Sequence, residues 1–189
     1  GQICVSPNRV FVQQSVLAAF TDKVVSRAVS AAVGFDKQKD IVTGPLIDGR
    51  AWKRIKELVD AAAAGGAQIL AGGDRPSGLE QGHFLAPTVL ADVTEDMDVY
   101  RQETFGPIVS LVPFSDESDL LRMANDCDEG GLTAYVFTRD LAKAENYAAQ
   151  LRYGEVQING VKYDIDLPHG GIGQSGIGHD CSYLALHDY

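Results

Sequence analysis

Apolar residues recur at helical spacing in two early stretches of the chain. Val16, Leu17, Phe20, Val24 and Ala28 form the first, with Ser15 a candidate cap. Ile55, Leu58, Val59 and Ala62 form the second, predicting an amphipathic helix from Trp52 to Ala64 that Gly65-Gly66 stops. Between and beyond them lie short runs rich in β-branched and apolar residues, which read as strands: Asn8 to Gln13, Gln68 to Ala71, Pro87 to Asp92, Ile108 to Phe114, Thr133 to Thr138 and Glu155 to Asn159. Later helices are predicted from Asp116 to Asn125, its acidic residues in the first turn, and from Leu141 to Leu151, with a further helical start from Ser182 to Tyr189. Thr43 to Leu46 is a turn and the segment from Asp74 to Gly82 a loop. Strands and helices alternate without a repeat or an internal linker. The expectation is one α/β domain over residues 1–189, a three-layer α/β/α arrangement with a largely parallel sheet covered on both faces.

Composition narrows the partners. A net charge of −10, from 26 acidic and 16 basic residues, disfavours nucleic acid and anionic membrane surfaces, whose phosphates would be repelled. No apolar stretch is long enough to span a bilayer. The three cysteines, Cys4, Cys127 and Cys181, are an odd number in a chain large enough to need no staples, which suits free thiols in a reducing, cytoplasmic compartment. No Cys-x-x-Cys or His-x-x-x-His pair points to a metal.

Cys4 is the first candidate for chemistry. A thiolate can add to a carbonyl, and it needs a helix terminus, a cation or a base to activate it. A lone cysteine is equally a small buried hydrophobe. A second pattern, Gly171-Ile172-Gly173-Gln174-Ser175-Gly176, fits the dinucleotide fingerprint Gly-x-Gly-x-x-Gly. That fingerprint belongs between a strand and a helix, with an acid about 20 positions later. Leu167-Pro168-His169 is a poor strand and the sequence ends at Tyr189, so the Rossmann reading is rejected.

Gly1-Gln2-Ile3-Cys4, followed far downstream by Glu103-Thr104-Phe105-Gly106-Pro107, resembles the catalytic domain of the aldehyde dehydrogenase superfamily. Lesser matches in the same order are Gly44-Pro45-Leu46, Ala86 to Leu90, Ala124-Asn125, Gly131 to Ala134 and Asn159. The resemblance implies that Cys4 is the nucleophile, that Glu103 hydrogen-bonds the nicotinamide ribose hydroxyls and that Phe105 packs against ribose and nicotinamide. It implies NAD or NADP as cofactor and a small aldehyde as substrate. Pro168-His169-Gly170-Gly171 through Gly178 resembles the family's segment at the aldehyde entrance, which makes His169, with Ile3 and Val5 beside the thiol, a substrate-pocket candidate. His169, Gly173 and His179 stand where many members have phenylalanine, lysine and arginine. Some segments look like those of aminoaldehyde enzymes and others like those of succinate-semialdehyde enzymes, so no substrate is named.

The family's general-base glutamate, oxyanion-hole asparagine and dinucleotide-binding domain precede the Gly-Gln-x-Cys segment, and its oligomerisation tail follows. The expectation is therefore a catalytic-domain piece of a homodimeric or homotetrameric parent, folded but inactive alone. A cysteine-dependent esterase or acyltransferase, with a base such as His169, and a non-catalytic docking module are the alternatives.

Overall fold

In a computed structural model the described residues are 1–36, 40–126, 130–162 and 164–187. They form two compact units, Gly1–Asp116 and Glu117–Tyr189. Cys127 and the last two residues of the expected C-terminal helix lie outside the described residues.

The first unit is built on a four-stranded sheet. Its strands are β1 (Arg9–Gln13), β2 (Gln68–Ala71), β3 (Thr88–Ala91) and β4 (Ile108–Phe114), in the order β1-β4-β3-β2. β1 and β3 both run parallel to the central β4, while β2 joins β3 antiparallel, with an irregular register between Ile69 and Ala71. Each strand runs within two residues of its expected ends, because β-branched side chains fit a half-buried pleat.

Helix α1 (Leu17–Ser30) covers one sheet face. Leu17, Val24, Val25 and Ala28 pack against a cluster of Val12, Ala71, Val89 and Leu111. Leu17, Val24 and Ala28 belong to the expected stripe, while its other two residues do not reach the sheet. Val16 stays outside the helix, and Val16 and Phe20 are exposed. Nor does Ser15 cap the helix. Residues Gln14–Val16 make a 3-10 turn instead, and Val16 occupies the cap position without a side-chain bond. The short link from β1 leaves no extended residue at Ser15 from which a hydroxyl could reach back to the first turn.

Helix α2 (Gly49–Ala64) starts three residues before the expected Trp52, because Asp48 is its true cap: the carboxylate accepts from the Ala51 N–H at 2.8 Å. It buries Ile55, Leu58, Val59 and Ala62, the four residues that its periodicity singled out. A one-turn helix α3 (Asp98–Arg101), unanticipated from the sequence, buries Val99 and Tyr100. Four residues are too few to show a period.

The second unit holds α4 (Glu117–Asn125), β5 (Thr133–Val136), α5 (Leu141–Gln150) and β6 (Glu155–Ile158), with β5 and β6 paired in parallel. Val136, Ala144 and Tyr147 form its core cluster, flanked by Leu120, Leu121, Leu151 and Val156. The chain from Pro168 onward makes a small antiparallel ribbon of β7 (His169–Gly170) and β8 (His179–Asp180). A 3-10 turn at Gly173–Ser175 separates them, and Gly173 and Gly176 have φ of 59° and 104°. This ribbon is not the strand–turn–helix of a dinucleotide fingerprint, in accord with the rejection of that reading. The glycines serve the left-handed turn. Tyr183–His187 is a 3-10 helix, tighter than the α-helical start expected there.

The architecture is thus mixed α/β with a largely parallel sheet, as the alternation predicted.

Candidate active site

Two loops in the first unit carry most of the candidate residues, and the sheet explains why they meet. Cys4 lies just ahead of β1, and Glu103 to Pro107 just ahead of β4. β1 and β4 are adjacent and parallel, with Arg9 opposite Ser110. Both loops therefore enter the sheet from the same end. Cys4 stands as far ahead of Arg9 as Phe105 stands ahead of Ser110.

The thiol sits on a tight turn. The Ser6 N–H donates to the Ile3 carbonyl at 2.9 Å, so Ile3 to Ser6 make one β-turn with Cys4 and Val5 in the middle. Cys4 is exposed and forms no disulfide. Ile3 is also exposed, and Val5 is partly buried. Ahead of the thiol, the Gln2 amide is held at both ends: its Nε2 donates to Pro45 O at 3.0 Å and its Oε1 accepts from the Ile47 N–H at 3.1 Å. The Gly44-Pro45-Leu46 turn, singled out only as a weak match, thus supports the nucleophile segment.

The second loop alternates: Glu103 and Phe105 are exposed, Thr104 and Gly106 buried. Phe105 has φ of 47°, a left-handed conformation that costs a non-glycine residue about 1–2 kcal/mol. Such a backbone persists only where its surroundings over-determine it. Here they do. The Asn8 side chain donates from Nδ2 to Gln102 O at 2.7 Å, and its Oδ1 accepts from both the N–H and the hydroxyl of Thr104 at 2.9 Å. From the other side the Arg54 guanidinium donates to Glu103 O at 3.0 Å and to Thr104 O at 2.7 Å.

The two loops also touch through bare backbone. A Cβ added to Gly1 would lie 2.0 Å from Gly106 O, and one added to Gly106 would lie 2.6 Å from Ile55 Cδ1. Glycine is required at position 1 for that backbone approach, whereas a side chain at Gly106 would have to displace the tip of Ile55.

Asn8 and Arg54 were not legible as site residues. Asn8 read as the first residue of a strand, and nothing singled Arg54 out within the predicted second helix. Their partners lie 94 and 49 positions away in sequence.

His169 belongs to the second unit, on β7. Its Nδ1 is 2.8 Å from Glu155 Oε2, and Glu155 Oε1 accepts from Gln157 Nε2 at 2.6 Å. Both partners of the His169–Glu155 pair are largely buried. This cluster pins β7 to β6 and gives His169 a local structural role. Cys181, also without a disulfide, follows β8 with φ of 62°. Among the described residues no group of His, Cys, Asp or Glu could hold a metal ion, and no helix is long and apolar enough to cross a membrane.

The Cys4 turn and the Glu103–Phe105 loop thus stand side by side at one end of the sheet. Comparison with known proteins gives the class. The aldehyde dehydrogenase family profile matches residues 1–189, and the chain belongs to that family. It is 38% identical to glutarate-semialdehyde dehydrogenase of Pseudomonas putida and 37% identical to the mitochondrial succinate-semialdehyde dehydrogenase of Oryza sativa, in each case over its whole length. Among solved structures, succinate-semialdehyde dehydrogenase from Burkholderia pseudomallei superposes with a TM-score of 0.95 at 40% identity, over 100% of this chain and 39% of that one. An NAD+ complex of aldehyde dehydrogenase from Bacillus cereus superposes at 0.94 with 34% identity, covering 100% of this chain and 38% of that one. The chain covers 38% of the Pseudomonas relative and 36% of the rice one.

Proposed function

We propose that this chain is the cysteine-bearing part of an NAD(P)-dependent dehydrogenase that oxidises a small aldehyde to its carboxylic acid. The observation that carries the reading is the bracing of the Cys4 turn against the Glu103–Phe105 loop by Asn8. Family membership and the semialdehyde dehydrogenases among its relatives support a semialdehyde as substrate class.

Cys4, exposed at the tip of its turn, attacks the aldehyde carbon as thiolate, and the carbonyl oxygen takes up a proton to give a thiohemiacetal. The nicotinamide cofactor, when bound, supplies the acceptor for the hydride. With that hydride and the hydroxyl proton removed, Cys4 would carry a thioester, which water would hydrolyse to the acid, returning the thiol. Glu103 and Phe105 fit the cofactor because both side chains are exposed on a loop whose Glu103 and Thr104 carbonyls are held by Arg54. Glu103 offers two acceptors to vicinal ribose hydroxyls, and Phe105 offers an apolar surface to the ring. Ile3 and Val5 flank the thiol as pocket residues, and His169 is the remaining pocket candidate. The whole of residues 1–189 acts as one catalytic domain of a soluble, cytoplasmic, dimeric or tetrameric enzyme.

The test is turnover by the full-length protein that carries this chain, with glutarate and succinate semialdehydes and each dinucleotide. Cys4→Ser is expected to lower kcat by about a thousandfold or more, the usual scale for losing a covalent nucleophile. Full activity in that variant would sink the reading. The 189-residue chain by itself is expected to give no measurable turnover, and turnover at enzymatic rates would show that the chain is self-sufficient.

A further inference from the structure

We propose that Asn8 is the positioning residue through which the cofactor loop and the thiol turn sense one another. The inference rests on the function proposed above. Three observations lead to it.

First, Asn8 uses both ends of its amide on one loop. It donates to Gln102 O and accepts twice from Thr104, at 2.7, 2.9 and 2.9 Å. These bonds bracket Glu103, the residue assigned to the ribose, from both sides. A side chain that both donates and accepts in one plane fixes the orientation of a loop as well as its distance. Second, Asn8 sits between the Cys4 turn and β1, so any shift of the Gln102–Thr104 backbone pulls on the chain that presents the thiol. Arg54 holds the Glu103 and Thr104 carbonyls from α2, on a different element. Third, the two loops are packed too closely to move independently. The Gly1 backbone lies against Gly106, and Thr104 is only 4% exposed. Phe105, in its left-handed conformation, has little latitude either. Force applied at Glu103 or Phe105 by a bound dinucleotide is therefore delivered through Asn8 to the turn bearing Cys4.

Linkage gives this a measurable form. If dinucleotide binding changes the reactivity of the thiol, the size of that change is a coupling, and removing the connector shrinks it. A residue with a merely structural role lowers the folded fraction but leaves the ratio of bound to free reactivity in the folded protein alone.

The experiment uses the full-length protein. Alkylation of Cys4 by iodoacetamide is followed by mass spectrometry of its peptide, with and without saturating NAD+ or NADP+, and dinucleotide binding is titrated separately by fluorescence. In the wild type the preferred dinucleotide is expected to change the alkylation rate constant by about fivefold or more, within the usual range of coupling between sites. In Asn8→Ala the factor is expected to fall below about twofold. Thr104→Val removes one of the three bonds and keeps the main-chain pair, so it should give an intermediate factor, and it decides the matter if Asn8→Ala fails to fold. A wild-type factor retained in folded Asn8→Ala, or in Thr104→Val where that variant decides, overturns the inference and leaves the proposed function standing. Binding without any effect on the wild-type thiol does the same. Absence of dinucleotide binding in the wild type overturns both.

Discussion

Asp48 illustrates how one side chain sets a local boundary. Its carboxylate caps α2 through the Ala51 N–H and also accepts from Arg50 Nη2 at 2.7 Å. The Ala51 bond, followed by that to Arg50, holds the carboxyl below the ordinary carboxylate range. A carboxyl whose folded-state pKa is depressed contributes stability above its unfolded value, and that contribution is lost as pH falls through the folded one. Asp48→Ala is therefore expected to melt earlier than wild type at neutral pH, with the difference narrowing as pH falls below the ordinary aspartate value of about 3.9. A difference in melting temperature that stays constant across that range would rule out the charged cap as its cause. Tyr147 behaves oppositely. Burial first, then the Glu117 carboxylate, pushes its hydroxyl up to about 12, so it remains protonated throughout any working range.

At the scale of elements, α2 does more than cover the sheet. It places Ile55 against Gly106 and Arg54 beside Glu103 and Thr104, so one helix supports the Glu103–Phe105 loop at two points. Ile55 is fully buried. Ile55→Ala should cost about 2–5 kcal/mol, the usual loss for emptying a core site. The cavity would open beneath Gly106, so the Michaelis constant for the dinucleotide is expected to rise as well. Urea unfolding and steady-state kinetics on the full-length protein check the two halves separately. A loss under about 1 kcal/mol would show that the site collapses and that Ile55 is not a fixed support. The α2 stripe was legible because four buried residues repeat over a long helix. The α1 stripe was legible in part: Leu17, Val24 and Ala28 pack on the sheet as expected, Val25 joins them, and Val16 and Phe20, which continue the period, stay exposed. Periodicity gives a stripe, and the packing partner selects which edge of it is buried.

Across the whole molecule, large apolar side chains are left on the surface of both units. Ile47, Phe35 and Val42 are examples in the first, and Ile177, Leu186, Tyr183 and Val161 in the second, with Ile177 94% exposed. Where such side chains adjoin, they make the kind of contiguous apolar patch that soluble monomers seldom leave uncovered. The isolated 189-residue chain is therefore expected to self-associate in a concentration-dependent way, read by sedimentation velocity, despite its net charge of −10. A clean monomer at high concentration would mean that these side chains are too scattered to bind one another.

From sequence alone, chemical identity and local form were decided: a thiol in Gly-Gln-x-Cys, a Glu-x-Phe-Gly-Pro loop, alternating strands and helices, and a glycine-rich ribbon that is not a dinucleotide fingerprint. Those follow from residue type and short-range periodicity, which a linear chain carries in full. Tertiary structure alone decided that β1 and β4 are neighbours. That pairing brings the Cys4 turn to the Glu103–Phe105 loop and makes connectors of Asn8 and Arg54. It also gives His169 a partner in Glu155. No local pattern encodes such pairings, because parallel strands far apart in sequence are chosen by the packing of the whole sheet and not by the residues within either strand.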